Sequence, residues 1–70
     1  MEKEDILTEQ EIETIIMQLA KGQGEFTEAD AAAVIKWAKR VRISNIIMEQ
    51  VAEGKLLVKR EGRKLKFKNP

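Results

Sequence analysis

The hydrophobic pattern of this chain changes period once, at Gly54. Before it, apolar residues recur three and four positions apart, as on one face of a helix. After it they alternate, as on one face of a strand. Two strand-like runs, Leu56 to Arg60 and Arg63 to Lys68, flank Glu61-Gly62, a pair suited to a two-residue hairpin loop. Helices first and one hairpin last make an α+β chain: three helices with a C-terminal β-hairpin over positions 55–68.

With Glu61-Gly62 as the loop, Val58 lies opposite Leu65 and Leu56 opposite Phe67, all on one face. The other face then receives Lys55, Leu57, Lys59, Lys64, Lys66 and Lys68. The same register sets Lys59 against Lys64, Arg60 against Arg63 and Lys55 against Lys68. Like charges directly opposite one another are destabilising. An anion near the hairpin would offset that repulsion, and two candidates are a nucleic acid and the chain's own acidic first helix. A solvated edge is the plainer reading, because lysine on an edge strand guards against aggregation.

Both leading helices carry start signals. Thr8 and Glu11 form a capping box, with Leu7 and Ile12 placed as a hydrophobic staple. Ile12, Ile15, Ile16, Leu19 and Ala20 continue one apolar stripe, and Gly22 and Gly24 end helix 1 at about 8–21. Thr27 and Asp30 repeat the box for helix 2, expected over about 28–41. There Ala31, Val34, Ile35, Ala38 and Val41 share a face with Trp37 beside it. Lys36, Lys39, Arg40 and Arg42 then gather at its C-terminal end, where cations suit the helix dipole. The pattern breaks near Arg42-Ile43, and Ser44 reads as a new N-cap. Helix 3 is expected over about 45–53, with Ile46, Ile47 and Val51 facing in, and Gly54 just past its end.

Seventy residues give room for one domain, 1–70. A chain this short buries only roughly 60% of the surface its unfolded form exposes. It contains no cysteine and no histidine, so disulfides, thiolate chemistry and the commonest general base are excluded. The acids of helix 1 serve its cap and dipole, and Gly22-Gln23-Gly24 matches no phosphate-binding fingerprint. No enzyme, cofactor or metal site is therefore expected. The acidic start, Met1 to Asp5, is unlike a secretory leader, and no apolar run suits a membrane span, so the expected location is cytoplasmic. The net charge of +1 hides a split. Residues 1–31 hold nine acids and two bases, whereas residues 32–70 hold three acids and eleven bases. Such asymmetry points to a polyanionic partner or to head-to-tail association.

Thr27 to Val41, the turn Arg42-Ile43-Ser44, Asn45 to Glu53, Gly54, and Leu56 to Lys68 together resemble the winged helix-turn-helix superfamily. Val51 to Leu57 looks like its passage from recognition helix to wing. With helix 1 the likeness covers residues 7–68. It is one of architecture and names no subfamily. It implies a third helix in the major groove and a wing on the backbone or in the minor groove. Carried over, helix 3 presents Ser44, Asn45, Met48, Glu49 and Gln50, and the wing presents Lys59, Arg60, Arg63, Lys64 and Lys66. Arg42, in the turn, is a further phosphate contact.

The resulting expectation is a small regulator or accessory protein that binds double-stranded DNA. The wing grips phosphates and helix 3 adds weak base readout, since it carries no Arg or Lys for guanine. The alternative is a protein-interaction domain, a homodimer or a complex with another chain, using acidic helix 1 and the basic wing without nucleic acid. Trp37 is expected in the core or half-buried against the hairpin, with base stacking as the sharper alternative.

Overall fold

The computed structural model describes residues 5–70. The elements are α1 (Glu9–Gln23), α2 (Glu28–Val34), α3 (Arg40–Ala52), β1 (Leu57–Glu61) and β2 (Lys64–Lys68). Expectations that involve Glu2, Lys3 and Glu4 lie outside the described residues.

Both capping boxes form. The Thr8 hydroxyl accepts from the Glu11 backbone N–H at 3.2 Å, and Glu11 Oε1 accepts from the Thr8 N–H at 2.9 Å. Thr27 and Asp30 exchange the same bonds at 3.2 and 3.0 Å. Backbone donors hold both carboxylates below their ordinary pKa: the Thr8 N–H for Glu11 and the Thr27 N–H for Asp30. A depressed carboxylate stabilises the fold fully above its unfolded pKa and loses that contribution as pH falls through the folded value. Melting temperature is therefore expected to fall below about pH 4.5. Asp30→Asn should flatten that acid limb in thermal melts followed by circular dichroism, and an unchanged limb would remove Asp30 from the account.

The second and third helices divide the chain differently from the sequence pattern. Instead of running over 28–41, α2 stops at Val34, and its C-cap Ile35 is extended. Instead of starting after a Ser44 cap, α3 begins at Arg40, and its N-cap Lys39 makes no side-chain capping bond. Packing explains the shift. Starting at Arg40 puts Ile43 on the same inward face as Ile46, Ile47 and Gln50, all buried. The bend over residues 35–39 keeps Ile35 and Ala38 in the core as well. It also frees the Trp37 carbonyl, which accepts from the N–H groups of Ile6 and Leu7 at 3.0 and 3.3 Å. Trp37 is 54% exposed and so lies outside the core expected to hold it. Val34 and Val41, expected on the inner face of one long helix, are exposed too.

The core joins α1 (Ile12, Ile16, Ala20) to α2 (Ala31) and α3, and is closed by Phe26, Leu56 and Phe67. Phe26 lies between α1 and α2 and bridges β2 at Phe67, with backbone bonds of 2.9 and 2.8 Å in both directions. β2 thus sits between the one-residue strand at Phe26 and β1. The two rings meet at 5.6 Å between centroids.

The hairpin register differs by two residues from the expected one. Val58 pairs with Phe67, Lys59 with Lys66, Arg60 with Leu65 and Glu61 with Lys64, leaving Gly62-Arg63 as the turn. Gly62 has φ 64° and no non-glycine residue has positive φ. It therefore takes the first central position, where a type II′ turn needs glycine. The parity of the faces survives the shift, but none of the three repulsive pairs does. Arg60 faces Leu65, Glu61 faces Lys64, and Lys59–Lys66 is a new like-charge pair. Lys66 also reaches Glu61 at 3.2 Å, which lowers the Glu61 pKa. Hairpin repulsion therefore no longer calls for an external anion.

Candidate nucleic-acid interface

Lys39, Arg40 and Arg42 were expected at the end of a helix, and they stand at the beginning of one. Lys39 is the N-cap of α3, Arg40 its first residue, and no acid occupies its first turn. Cations at this end oppose the helix dipole, which favours negative charge there. Two carboxylates from other parts of the chain partly compensate. Glu28 of α2 meets Arg40 Nε at 3.2 Å in an exposed pair. Asp5 accepts from Arg42 Nη1 at 2.7 Å, and the same nitrogen donates to the Leu7 carbonyl at 2.6 Å. The Arg42 guanidinium is the main reason the Asp5 carboxyl sits below its ordinary pKa, and the Lys39 backbone N–H adds to it. Arg42 thus fastens the segment before α1 to the start of α3. A phosphate reaching it would compete with Asp5.

The hairpin tip comes to the same place. Arg40, Arg63 and Lys64 border one cleft of about 380 Å³ with Thr27, Glu28, Leu65 and Phe67. Arg40 was not among the expected contact residues. On a helix running to position 41 its charge is an ordinary C-terminal complement, and the start of α3 at Arg40 gives it a different role.

The other expected contacts separate into two sets. Along the hairpin, side chains alternate. Alternation puts Val58, Arg60 and Leu65 on the face of the buried Phe67, and Lys59, Lys64 and Lys66 on the other, with Lys64 also bordering the cleft against α2. Arg60 Nε donates to the Gly62 carbonyl at 3.3 Å and braces the turn. Lys66 is held by Glu61, whereas Lys59, Arg63 and Lys64 take no part in the salt bridges of the described residues. On α3, Asn45, Met48 and Glu49 are exposed and Ser44 is half-buried. Gln50 is 1% exposed and packs inward, so it cannot read a base.

Among the described residues, no group of three or more His, Cys, Asp or Glu side chains is placed to hold a metal ion. No described helix is long and apolar enough to cross a membrane. No protein-family model, curated protein or solved structure matches the chain.

Proposed function

We propose that this chain is a winged-helix domain that binds double-stranded DNA, as a regulator or accessory factor. The observation that carries this reading is the meeting of cations from two elements. Lys39 and Arg40 stand at the start of α3, and Arg63 and Lys64 at the hairpin tip, with Arg40, Arg63 and Lys64 around one cleft. Backbone phosphates would satisfy the positive end of α3 and the cations placed against its dipole together. The order of elements supports the same reading: two helices separated by a bridging strand residue, a third helix, then a hairpin whose second strand takes that bridge. In this reading α3 is the helix presented to the major groove, and β1–β2 is the wing.

Lys59, Lys64 and Lys66 on the lysine face of the wing would add affinity without sequence information, by releasing counterions. Fluorescence anisotropy of a labelled random-sequence duplex, titrated at several salt concentrations, tests this. Binding should fall with salt at a logarithmic slope of about −0.9 per neutralised phosphate. Replacing the three lysines by alanine should weaken all sequences alike and reduce the slope magnitude by roughly 2 to 3. A triple variant that binds as tightly as its parent would remove the wing from the mechanism.

One observation favours protein association instead. Glu9 is exposed and Glu13 half-buried on α1, and neither takes part in a salt bridge of the described residues. They complement the wing lysines of a second copy or another chain. Salt-sensitive dimerisation in sedimentation, without DNA affinity at low salt, would support that reading over the first.

A further inference from the structure

The exposed face of α3 is not charged. Val41, Asn45, Met48 and Ala52 recur four, three and four residues apart, which places them on one stripe. Val41 is 66% exposed and Met48 46%, and Asn45 and Ala52 are exposed beside them. The opposite face, with Ile43, Ile46 and Ile47, is buried. No lysine or arginine lies between Arg42 and Lys55, and the charge on the flank of the stripe comes from Glu49 and from Glu53 at the helix end. The cations stand at the start of this helix and at the wing tip that shares a cleft with Arg40. A duplex held by those cations therefore meets two apolar side chains and an amide.

In the major groove, the one apolar feature of a base edge is the C5-methyl of thymine, and the pairing partner of an asparagine amide is adenine N6/N7. Against a G·C pair, Val41 and Met48 would strip water from O6, N7 and N4 and return no hydrogen bond. Seven residues of helix rise span roughly 10.5 Å, or about three base-pair steps. Both side chains therefore fall within one short run of base pairs.

We propose that α3 selects A·T pairs, with Val41 and Met48 seated on thymine methyls and Asn45 on adenine. This inference rests on the DNA-binding reading above. The charge placement favours a duplex as the occupant of the stripe, and a protein partner becomes an outcome of the test.

The test compares three duplexes with identical flanks in anisotropy titrations: an A·T core, the same core with every thymine replaced by uracil, and a G·C core. Uracil keeps the base pair and removes the methyl alone. The A·T duplex should bind best, and the uracil duplex should lose roughly fourfold per methyl contacted. Carrying 5-methylcytosine in the G·C core should recover part of the difference. In a Val41→Ser, Met48→Gln variant, checked for helix content by circular dichroism, thymine and uracil duplexes should bind equally while the salt slope stays at the parent value.

The outcomes separate. If no duplex binds at low salt, the DNA-binding reading falls and takes the inference with it. If all three bind equally with a normal salt slope, the chain grips the backbone and the inference alone is overturned. Concentration-dependent dimerisation of the parent that the double variant abolishes would assign the stripe to a second copy and overturn it too.

Discussion

Replacing Phe67 by alanine is expected to leave the protein barely stable at ambient temperature. Deleting a buried phenylalanine costs about 3–5 kcal/mol, through lost transfer energy and the cavity left behind. Folded domains are stable by roughly 5–15 kcal/mol, and one this small belongs at the low end. Phe67 is 2% exposed and its ring lies against Phe26. Its backbone exchanges both hydrogen bonds with Phe26, so the side chain and the bridge hold the same joint. A two-stranded hairpin alone is at best marginal in water. Few other hairpin residues can anchor this one: Leu57, Val58 and Leu65 are each more than 40% exposed. Thermal melts by circular dichroism should show Phe67→Ala melting far below the parent, and Phe67→Leu folded with a smaller reduction in melting temperature. An alanine variant that melts within a few degrees of the parent would mean that the hairpin is not part of the cooperative unit. In a partly folded variant the wing cations would no longer be held beside Arg40, so DNA affinity should fall with the fold.

Some of this was legible in the sequence, and the divisions follow physical lines. The two capping boxes and the α1 stripe are local signals, encoded within four to eight residues, and both form as read. The change of period at Gly54 located the hairpin, because alternation survives any shift by two. The register itself was not legible. Glu61-Gly62 and Gly62-Arg63 both place a glycine in a two-residue loop, and the choice depends on Phe67 reaching Phe26 across 41 positions of sequence. Nothing near Phe26 marks it as a strand, since a single bridging residue has no period. The α2–α3 boundary failed for a related reason. The stretch from Ala31 to Val51 contains no glycine or proline, so propensity offered no stop, and the bend is imposed by burying Ile35, Ala38 and Ile43 together. That misplaced boundary altered the reading of the candidate site most. It turned Lys39, Arg40 and Arg42 from dipole complements at a helix end into cations set against the dipole at a helix start.

Gln50 is the other residue whose reading reversed, and replacing it by methionine is expected to stabilise the protein by about 1–3 kcal/mol. From the sequence it is a polar residue on a polar-looking turn of helix 3, available to a base. In the structure it is 1% exposed, and its side-chain oxygen is buried with no hydrogen-bond partner among the described residues. A buried acceptor left unpaired keeps its desolvation cost, whereas an apolar side chain of the same shape removes it. Methionine is unbranched, close in size and at least as helix-favouring, so the exchange asks for little repacking. The structural role of Gln50 at the helix end belongs to its backbone: its carbonyl accepts from the N–H groups of Lys55 and Leu56 at 2.9 and 3.3 Å, and that survives the change. For a domain of this size each kcal/mol moves the melting temperature by roughly 4–8 °C, so the rise should be plain in a melt. Because Gln50 faces away from the stripe of Val41, Asn45 and Met48, duplex affinity and its salt slope should not move. A lower melting temperature would show that the amide is satisfied after all, for example by a bridging water. Weaker DNA binding at unchanged stability would place Gln50 on the interface and call the orientation of α3 into question.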